Sequence, residues 1–193
     1  MLRIFAAVLV AVLLFPPRAG AVQVGDDGLF SQPWFHQSFF ILAEDIADAA
    51  AQGKRVAVLF EQKGCPYCRE MHRVNFAQPE VSEYIKANFV VIQFDMWGSR
   101  KVTDLDGKEF GERELARRWR VNFTPTIVFL PTPEEIKAGE TEAARLPGYF
   151  KPFHFVSMFE YVKQEAYKKE PFQRFLQHKF EALEKAGKKP TLW

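Results

Sequence analysis

Two cysteines three positions apart are the residues of this chain best suited to chemistry. Cys65 and Cys68 lie in the segment EQKGCPYCREMH, residues 61–72, and the 193-residue chain contains no other cysteine. A pair at this spacing can form a reversible disulfide, bind a soft metal, attach a haem or close a short structural loop. The residues around the pair discriminate among these four uses.

Three of the four uses receive little support. Haem attachment requires His directly after the second cysteine, where this chain has Arg69. A disulfide closing so short a loop stabilises a fold by only about 2 kcal/mol, against nearly 5 for a loop of about 100 residues. His72 offers a third metal ligand, but a closed zinc site needs a fourth, and His36, His154 and His178 lie in separate segments. Copper(I) bound by the two thiolates stays open.

The flanking sequence predicts a strand followed by a helix, with the cysteines at their junction. Residues 55–62, RVAVLFEQ, form a short apolar run typical of a buried strand in an α/β sheet. Pro66 suits the first turn of a helix. Cys65 is therefore expected at a helix N-terminus, where unpaired N–H groups and the helix dipole lower the pKa of its thiol. Cys68, one turn further, is expected to face the interior and to resolve the mixed disulfide that Cys65 forms with a partner.

The first 21 residues have the pattern of an export signal. One Arg precedes an apolar run of twelve residues, Ile4 to Phe15, and the segment ends in Ala19-Gly20-Ala21. A retained membrane anchor is the alternative, but the run is much shorter than the roughly 20 residues that span a bilayer. We expect cleavage near Ala21 and a periplasmic location, which is an oxidising compartment.

The chain that remains after this segment carries no net charge. Removing Arg3 and Arg18 from the 26 basic residues leaves 24, equal to the 24 acidic ones. A neutral balance gives no electrostatic case for nucleic acid or an anionic membrane as a partner. The remaining 172 residues are enough for one domain with a substantial apolar core.

A second motif, Thr124-Pro125, supports the redox interpretation. It precedes a predicted strand over residues 126–130 within VNFTPTIVFL. The chain resembles the thioredoxin superfamily in three features: a strand, a C-P-Y-C motif that opens a helix, and a proline before a later strand. In that superfamily the proline is cis and faces the cysteines. The alternative for this chain is a trans proline that enters the strand. The resemblance implies that Thr124 offers backbone groups to a substrate strand beside Cys65. The segments PWF, FDMWG, TDLDGKEF and GYFKPFHF further resemble periplasmic thioredoxins associated with bacterial sulfur oxidation.

The resemblance implies an α/β, thioredoxin-like fold, with a central mixed sheet flanked by helices, an N-terminal helical extension and a C-terminal helix. We assign residues 1–21 to a signal peptide, 22–170 to the thioredoxin-like domain and 171–193 to a C-terminal helix and basic tail. The sequence pattern predicts further helices over 79–89 and 111–121, strands over 89–95 and 144–150, a polar loop through Gly98, Gly107 and Gly111, and a Pro/Glu-rich hairpin after 130.

Two more helices are predicted with a defined apolar face. The first lies within 33–55 and has on one face Phe39, Leu42, Ala43, Ile46 and Ala50. The second begins at Pro152 and has on its apolar face Phe155, Phe159, Val162 and Ala166.

The same resemblance draws attention to Glu61 and to the two residues between the cysteines. Classical thioredoxins have a buried Asp six residues before the first cysteine, where this chain has Leu59. Glu61 lies on the same face of the strand, and we expect it to transfer protons to and from Cys68, the alternative being a solvated Glu. Pro66 and Tyr67 give the glutaredoxin form of the motif, and we expect both to contact substrate; Tyr67 is otherwise only a tolerated aromatic residue. Glutathione use is not expected, because LPTPEEIK replaces the Gly-Gly turn of glutaredoxins.

The predicted function is that of a monomeric periplasmic thiol-disulfide oxidoreductase that uses neither cofactor nor metal. Its Cys65/Cys68 dithiol would reduce disulfides of exported proteins, with a cysteine-bearing carrier of sulfur oxidation as one candidate, and a membrane thiol-disulfide donor would supply electrons. A disulfide-introducing oxidase is one alternative, although the roughly thirty residues between Asp95 and Pro125 leave no room for the helical insertion of DsbA-type enzymes. A non-catalytic module that binds a metal or a partner is the other.

Overall fold

The computed structural model describes residues 22–189, in which short strands alternate with helices. The strands are β1 (Gln23–Val24), β2 (Phe30–Ser31), β3 (Arg55–Glu61), β4 (Phe89–Asp95), β5 (Lys101–Thr103), β6 (Glu109–Gly111), β7 (Thr126–Phe129) and β8 (Ala144–Pro147). The α-helices are α1 (Leu42–Ala51), α2 (Pro66–Glu70), α3 (Pro79–Asn88), α4 (Glu112–Arg118), α5 (Pro133–Lys137), α6 (Pro152–Lys163) and α7 (Phe172–Lys185). A π-helical turn covers Met71–Asn75 and a 3-10 turn covers Ala166–Lys168. The predicted signal peptide lies outside the described residues.

A four-stranded mixed sheet with the strand order β4-β3-β7-β8 forms the centre of the fold. β3 pairs in parallel with β4 and antiparallel with β7, and β7 pairs antiparallel with β8. All seven residues of β3 are buried, because helices cover both faces of the sheet, which explains its continuous apolar sequence. Phe60 of β3 lies opposite Thr126 of β7, so the C-terminal end of β3 and the N-terminal end of β7 lie side by side at one end of the sheet. The cysteine segment and the Thr124-Pro125 segment must therefore converge at this end of the sheet.

The side chains of β3 alternate between two hydrophobic cores. Ala57 and Leu59 face the core formed with α3 and α6, and Val56, Val58 and Phe60 face the core formed with α1 and α4. The α6 side of the sheet is rich in aromatic contacts. The ring of Phe159 packs edge-on against Phe89 and Phe129, with 5.0 Å between centroids in each pair. The fold prediction of a mixed sheet flanked by helices is therefore confirmed, and α7 packs on α6 as the predicted C-terminal helix.

The predicted N-terminal helix was placed too early, and its apolar face was right at Leu42 and Ile46 but wrong at the other three positions. Phe40 has a positive φ of 62° and Ile41 forms a β-bridge with Thr103, so the helix begins only at Leu42. The buried residues of α1 are Leu42, Asp45, Ile46 and Ala49, whereas the predicted Phe39, Ala43 and Ala50 are exposed. A left-handed residue cannot continue an α-helix, which explains the late start.

Two segments predicted as a loop and a hairpin have other structures. Part of the polar segment after β4 forms the antiparallel hairpin β5–β6, whose paired strands contact α1 and α4. The Pro/Glu-rich segment after β7 is the helix α5, and its first turn carries a capping box. The Thr132 hydroxyl accepts from the Glu135 N–H at 3.2 Å, while the Glu135 carboxylate accepts from the Thr132 N–H at 2.7 Å. Thr132, Pro133 and Glu135 form a helix-start pattern that sequence reasoning could have recognised.

Candidate active site

The cysteine pair lies at the junction of β3 and α2, where the prediction placed it. Gly64, with a φ of 70°, turns the chain between the strand and the helix. Cys65 occupies the N-cap position of α2 and Pro66 follows as the first helical residue. Cys65 and Cys68 form a disulfide, with 5.2 Å between their Cα atoms. The backbone N–H of Cys68 donates to Cys65 Sγ at 3.0 Å, so the helix start already directs a donor at this sulfur.

Both cysteines are buried in this oxidised form. Cys65 keeps 3% of its residue surface exposed and Cys68 keeps none, so Cys65 is the one that lies nearer to solvent. α2 continues directly into the π-helical turn, and the resulting helical segment 66–75 directs its N-terminal N–H groups towards Cys65. Once the disulfide is reduced, these groups and the positive end of the helix dipole stabilise a thiolate at Cys65.

The loop that enters β7 packs directly against this pair. The Thr124–Pro125 peptide bond is cis, and Pro125 is buried. The Thr124 hydroxyl donates to Cys65 Sγ at 3.4 Å. Thr124 is half-buried and Phe123 is 53% exposed, so the segment forms one wall of the surface around Cys65.

Glu61 lies in a buried polar network behind the cysteines. Its carboxylate is fully buried and contacts His72 Nε2 at 3.1 Å, and it also accepts a hydrogen bond from the Gln93 amide. Gln32 Nε2 faces His72 Nδ1 at 3.1 Å, an orientation that leaves the ring proton on Nε2, where it donates to Glu61. The alternative of a solvated Glu at the strand end is wrong, because β4 and the N-terminal segment cover this position.

His72 connects Glu61 to the cysteine helix. It follows Cys68 by four residues, so the two side chains lie on the same side of the helical segment. The imidazole is 1% exposed and is enclosed by aromatic rings, with centroid distances of 5.2 Å to Phe76 and 5.6 Å to Phe35. Because its two nitrogens face Gln32 and Glu61, His72 does not join the cysteines as a metal ligand. Residues 22–189 contain no group of three His, Cys, Asp or Glu side chains that could hold a metal.

Comparison with known proteins agrees with this arrangement. A family model for the thioredoxin-like domain matches residues 42–163, well over half of the chain. The chain belongs to this thioredoxin-like family. No curated protein matches it.

Several solved structures are similar. A thioredoxin-fold protein from Helicobacter pylori is 27% identical, covers 69% of this chain and 84% of its own, and superposes with a TM-score of 0.50. A thioredoxin from Thermus thermophilus is 33% identical over 65% of this chain and 83% of its own, with a TM-score of 0.46. The oxidised C-terminal domain of DsbD from Neisseria meningitidis is 20% identical over 62% of this chain and 89% of its own, with a TM-score of 0.42. The first of these similarities supports the thioredoxin-like fold.

The two residues between the cysteines contribute to the surface of this thioredoxin-like site. Tyr67 is 62% exposed and stacks on Tyr149, with an interplanar angle of 21° and 6.5 Å between centroids. Burial and the nearby Glu70 raise the pKa of Tyr149, so its hydroxyl stays protonated at neutral pH. Pro66 beside Tyr67 is also exposed. Both predicted contact residues are therefore on the surface next to the disulfide.

Sequence reasoning missed the partners of Glu61 and the exposed Trp97, which contacts Gln62 in the segment before the cysteines. His72, Gln32 and Gln93 come from three separate elements, and only the four-residue spacing of His72 from Cys68 hinted at this contact. Trp97, just after β4, is 57% exposed, and its Nε1 donates to Gln62 Oε1 at 2.9 Å.

Among the described residues no helix is long and apolar enough to cross a membrane.

Proposed function

We propose that this thioredoxin-like protein is a thiol-disulfide oxidoreductase that reduces disulfides in partner proteins. The observation that carries the proposal is the Cys65–Cys68 disulfide at a helix start, with the Thr124 hydroxyl 3.4 Å from Cys65 Sγ. In this arrangement Cys65 lies nearer to solvent than the fully buried Cys68, and the half-buried Thr124 and exposed Phe123 lie beside it, where a substrate segment can pair.

In the proposed reaction, the Cys65 thiolate of the reduced protein attacks one sulfur of the substrate disulfide. A mixed disulfide forms and one substrate thiolate leaves. Cys68 then loses its proton and attacks Cys65 Sγ, which breaks the mixed disulfide and releases the second substrate thiol. Two electrons pass to the substrate, and the protein is left with the Cys65–Cys68 disulfide seen in the structure.

Glu61 is the proposed acceptor of the Cys68 proton, with His72 holding its carboxylate. Support comes from the burial of both side chains and from the position of His72 one helical turn beyond Cys68. A carboxylate buried in the same region as a buried thiol is suited to accept its proton, because little bulk solvent competes for that proton. Gln93 and Gln32 fix the orientation of the pair.

The cellular setting is part of the proposal. The signal-like residues 1–21 support export to the periplasm, and an oxidising compartment requires a membrane thiol-disulfide donor to keep the dithiol reduced. The sequence resemblance to thioredoxins of sulfur oxidation supports a cysteine-bearing carrier protein as one partner.

Substrate trapping tests the proposal. In Cys68→Ala the resolving sulfur is absent, so we expect a covalent adduct on Cys65 with a disulfide-bearing protein such as insulin, visible by non-reducing gel and mass spectrometry. The wild-type protein with a chemical reductant should instead reduce insulin catalytically. A Cys65→Ala variant is the matched control and should form no adduct. Absence of both turnover and adduct would refute the oxidoreductase.

A further inference from the structure

A cavity of about 220 Å³ lies between the segment that follows β4, helix α4 and the segment that leads into β7, and it belongs to none of the roles assigned above. We name it the Trp97 pocket. It is lined by Met96, Trp97, Arg113, Ala116, Arg117, Val121 and Asn122. The end of β4 supplies one wall, and α4 with the segment that leads into β7 supplies the other.

Each wall of the Trp97 pocket is linked to Cys65 through one intervening residue, Gln62 on one side and Thr124 on the other. On one side, the Trp97 indole donates to the Gln62 side chain at 2.9 Å, and the Gln62 carbonyl accepts from the Cys65 N–H at 3.3 Å. On the other side, the wall ends at Asn122, two residues before Thr124, whose hydroxyl contacts Cys65 Sγ. A substrate segment lying along Thr124 would therefore place a side chain near this pocket.

The mouth of the pocket is positively charged. Arg113 and Arg117 are four residues apart on α4, so both project from the same exposed face. The Arg113 guanidinium lies 5.2 Å from the centroid of the Trp97 ring. Neither arginine forms a salt bridge with a carboxylate of residues 22–189.

The acidic residues closest in sequence to this face, Glu112, Glu114 and Asp95, form their contacts with groups other than the two arginines. Glu112 is buried, forms an ion pair with Arg100 and accepts from the Asp95 N–H at 2.9 Å. Asp95 accepts from the Trp97 N–H at 3.0 Å, and Glu114 accepts from the Gly111 N–H at 3.1 Å. The pocket thus combines apolar walls with two cations that lack an acidic partner in this part of the chain.

We infer that the Trp97 pocket binds an Asp or Glu side chain flanking the reactive cysteine of a substrate protein. The carboxylate would interact with Arg113 and Arg117, and the methylene groups would pack on Trp97 and Val121. This inference rests on the proposed function and adds a substrate preference to it: disulfides in acidic segments are reduced faster than those in basic segments.

Three peptides test this preference. They are identical except for the residues that flank their single cysteine, which are Glu, Gln or Lys. The cysteine forms a mixed disulfide with thionitrobenzoate, and attack by Cys65 releases the coloured thionitrobenzoate anion. For the reduced wild-type protein we expect the Glu peptide to react about 5- to 10-fold faster than the Lys peptide at low salt, since exposed charge pairs are weak individually. Salt should reduce the ratio.

Two variants locate the effect. In the Arg113→Ala/Arg117→Ala double variant the Glu-to-Lys ratio should fall towards one, because alanine preserves the helix but removes both charges. Arg174→Ala, which removes an exposed arginine from α7, should retain the wild-type ratio. Equal rates for the Glu and Lys peptides, or an unchanged ratio in the double variant, would overturn the inference alone. If the Gln peptide reacts with the reduced protein no faster than it reacts with a small free thiol, the proposed function would be overturned as well.

Discussion

Replacing Glu61 with Gln removes the buried carboxylate behind the cysteine pair with little change of volume. Cβ atoms four residues apart on a helix are about 5–6 Å apart, and the carboxylate contacts the far side of His72 at 3.1 Å, so for an order-of-magnitude estimate we take about 8 Å between the carboxylate and Cys68 Sγ. At an effective dielectric constant of about 20, unit charges at this distance interact by about 2 kcal/mol. This energy corresponds to about 1.5 pKa units. Because a nearby anion disfavours a thiolate, Glu61→Gln should lower the pKa of the Cys68 thiol by about this amount.

The Cys65→Ala background isolates this titration, because Cys68 is then the only thiol. Ultraviolet absorbance of the thiolate, followed against pH, gives its pKa with Glu61 present and in Glu61→Gln. Glu83→Gln is the matched control, since the Glu83 side chain is 70% exposed on α3 and should leave the midpoint unchanged. The same midpoint with and without Glu61 would refute an electrostatic influence of Glu61 on Cys68.

The rate of substrate release separates this electrostatic effect from proton transfer. If Glu61 accepts the Cys68 proton, Glu61→Gln should slow resolution of the mixed disulfide at neutral pH by at least about 10-fold, the low end for general base catalysis. Stopped-flow release of a coloured thiol measures this step. Faster or unchanged release would remove Glu61 from the proposed mechanism.

Two further predictions concern the neighbouring loop and the stability of the sheet. Thr124→Val removes the hydroxyl that contacts Cys65 Sγ, and should raise the pKa of the Cys65 thiol by up to about one unit, measured by alkylation rate against pH. Burial alone would raise the pKa of Glu135, but hydrogen bonds from the Thr132 N–H and the Tyr167 hydroxyl and the charge of Arg55 hold it at about 2. Because this folded-state pKa lies below the ordinary value of 4.5, the carboxylate stabilises the fold above that pH and the contribution disappears as the pH falls towards 2. Glu135→Gln should therefore lower the free energy of unfolding by about 2 kcal/mol at neutral pH, and by much less near pH 3, in urea titrations; an equal loss at both pH values would contradict this.

The central elements of the fold could be predicted because their sequence signals are local. β3 was predicted to end one residue later than it does, and β4 was predicted with its observed bounds, because both are continuous apolar runs. The N-cap position of Cys65 followed from Pro66 and from the preceding strand. These signals involve neighbours in sequence, so they required no knowledge of tertiary contacts.

The errors arose where distant segments decide the local structure. Phe40 lies within an apparently amphipathic run, yet its left-handed conformation and the bridge from Ile41 to Thr103 exclude a helix there. In the same way, the burial of Glu61 depends on His72 and Gln93, whose side chains reach it from other elements. A strand-end carboxylate carries no mark in the sequence that distinguishes a solvated position from a buried one.

The acidity of the Cys65 thiol tests the oxidoreductase most directly. The measurement is the pH dependence of iodoacetamide alkylation in reduced wild-type protein and in Cys68→Ala, which keeps the backbone N–H that donates to Cys65 Sγ. We predict a Cys65 pKa well below the ordinary value of about 8.5, within the range of about 3.5 to 7.5 found for cysteines at helix N-termini. A Cys65 pKa at or above about 8.5 in both proteins would contradict it.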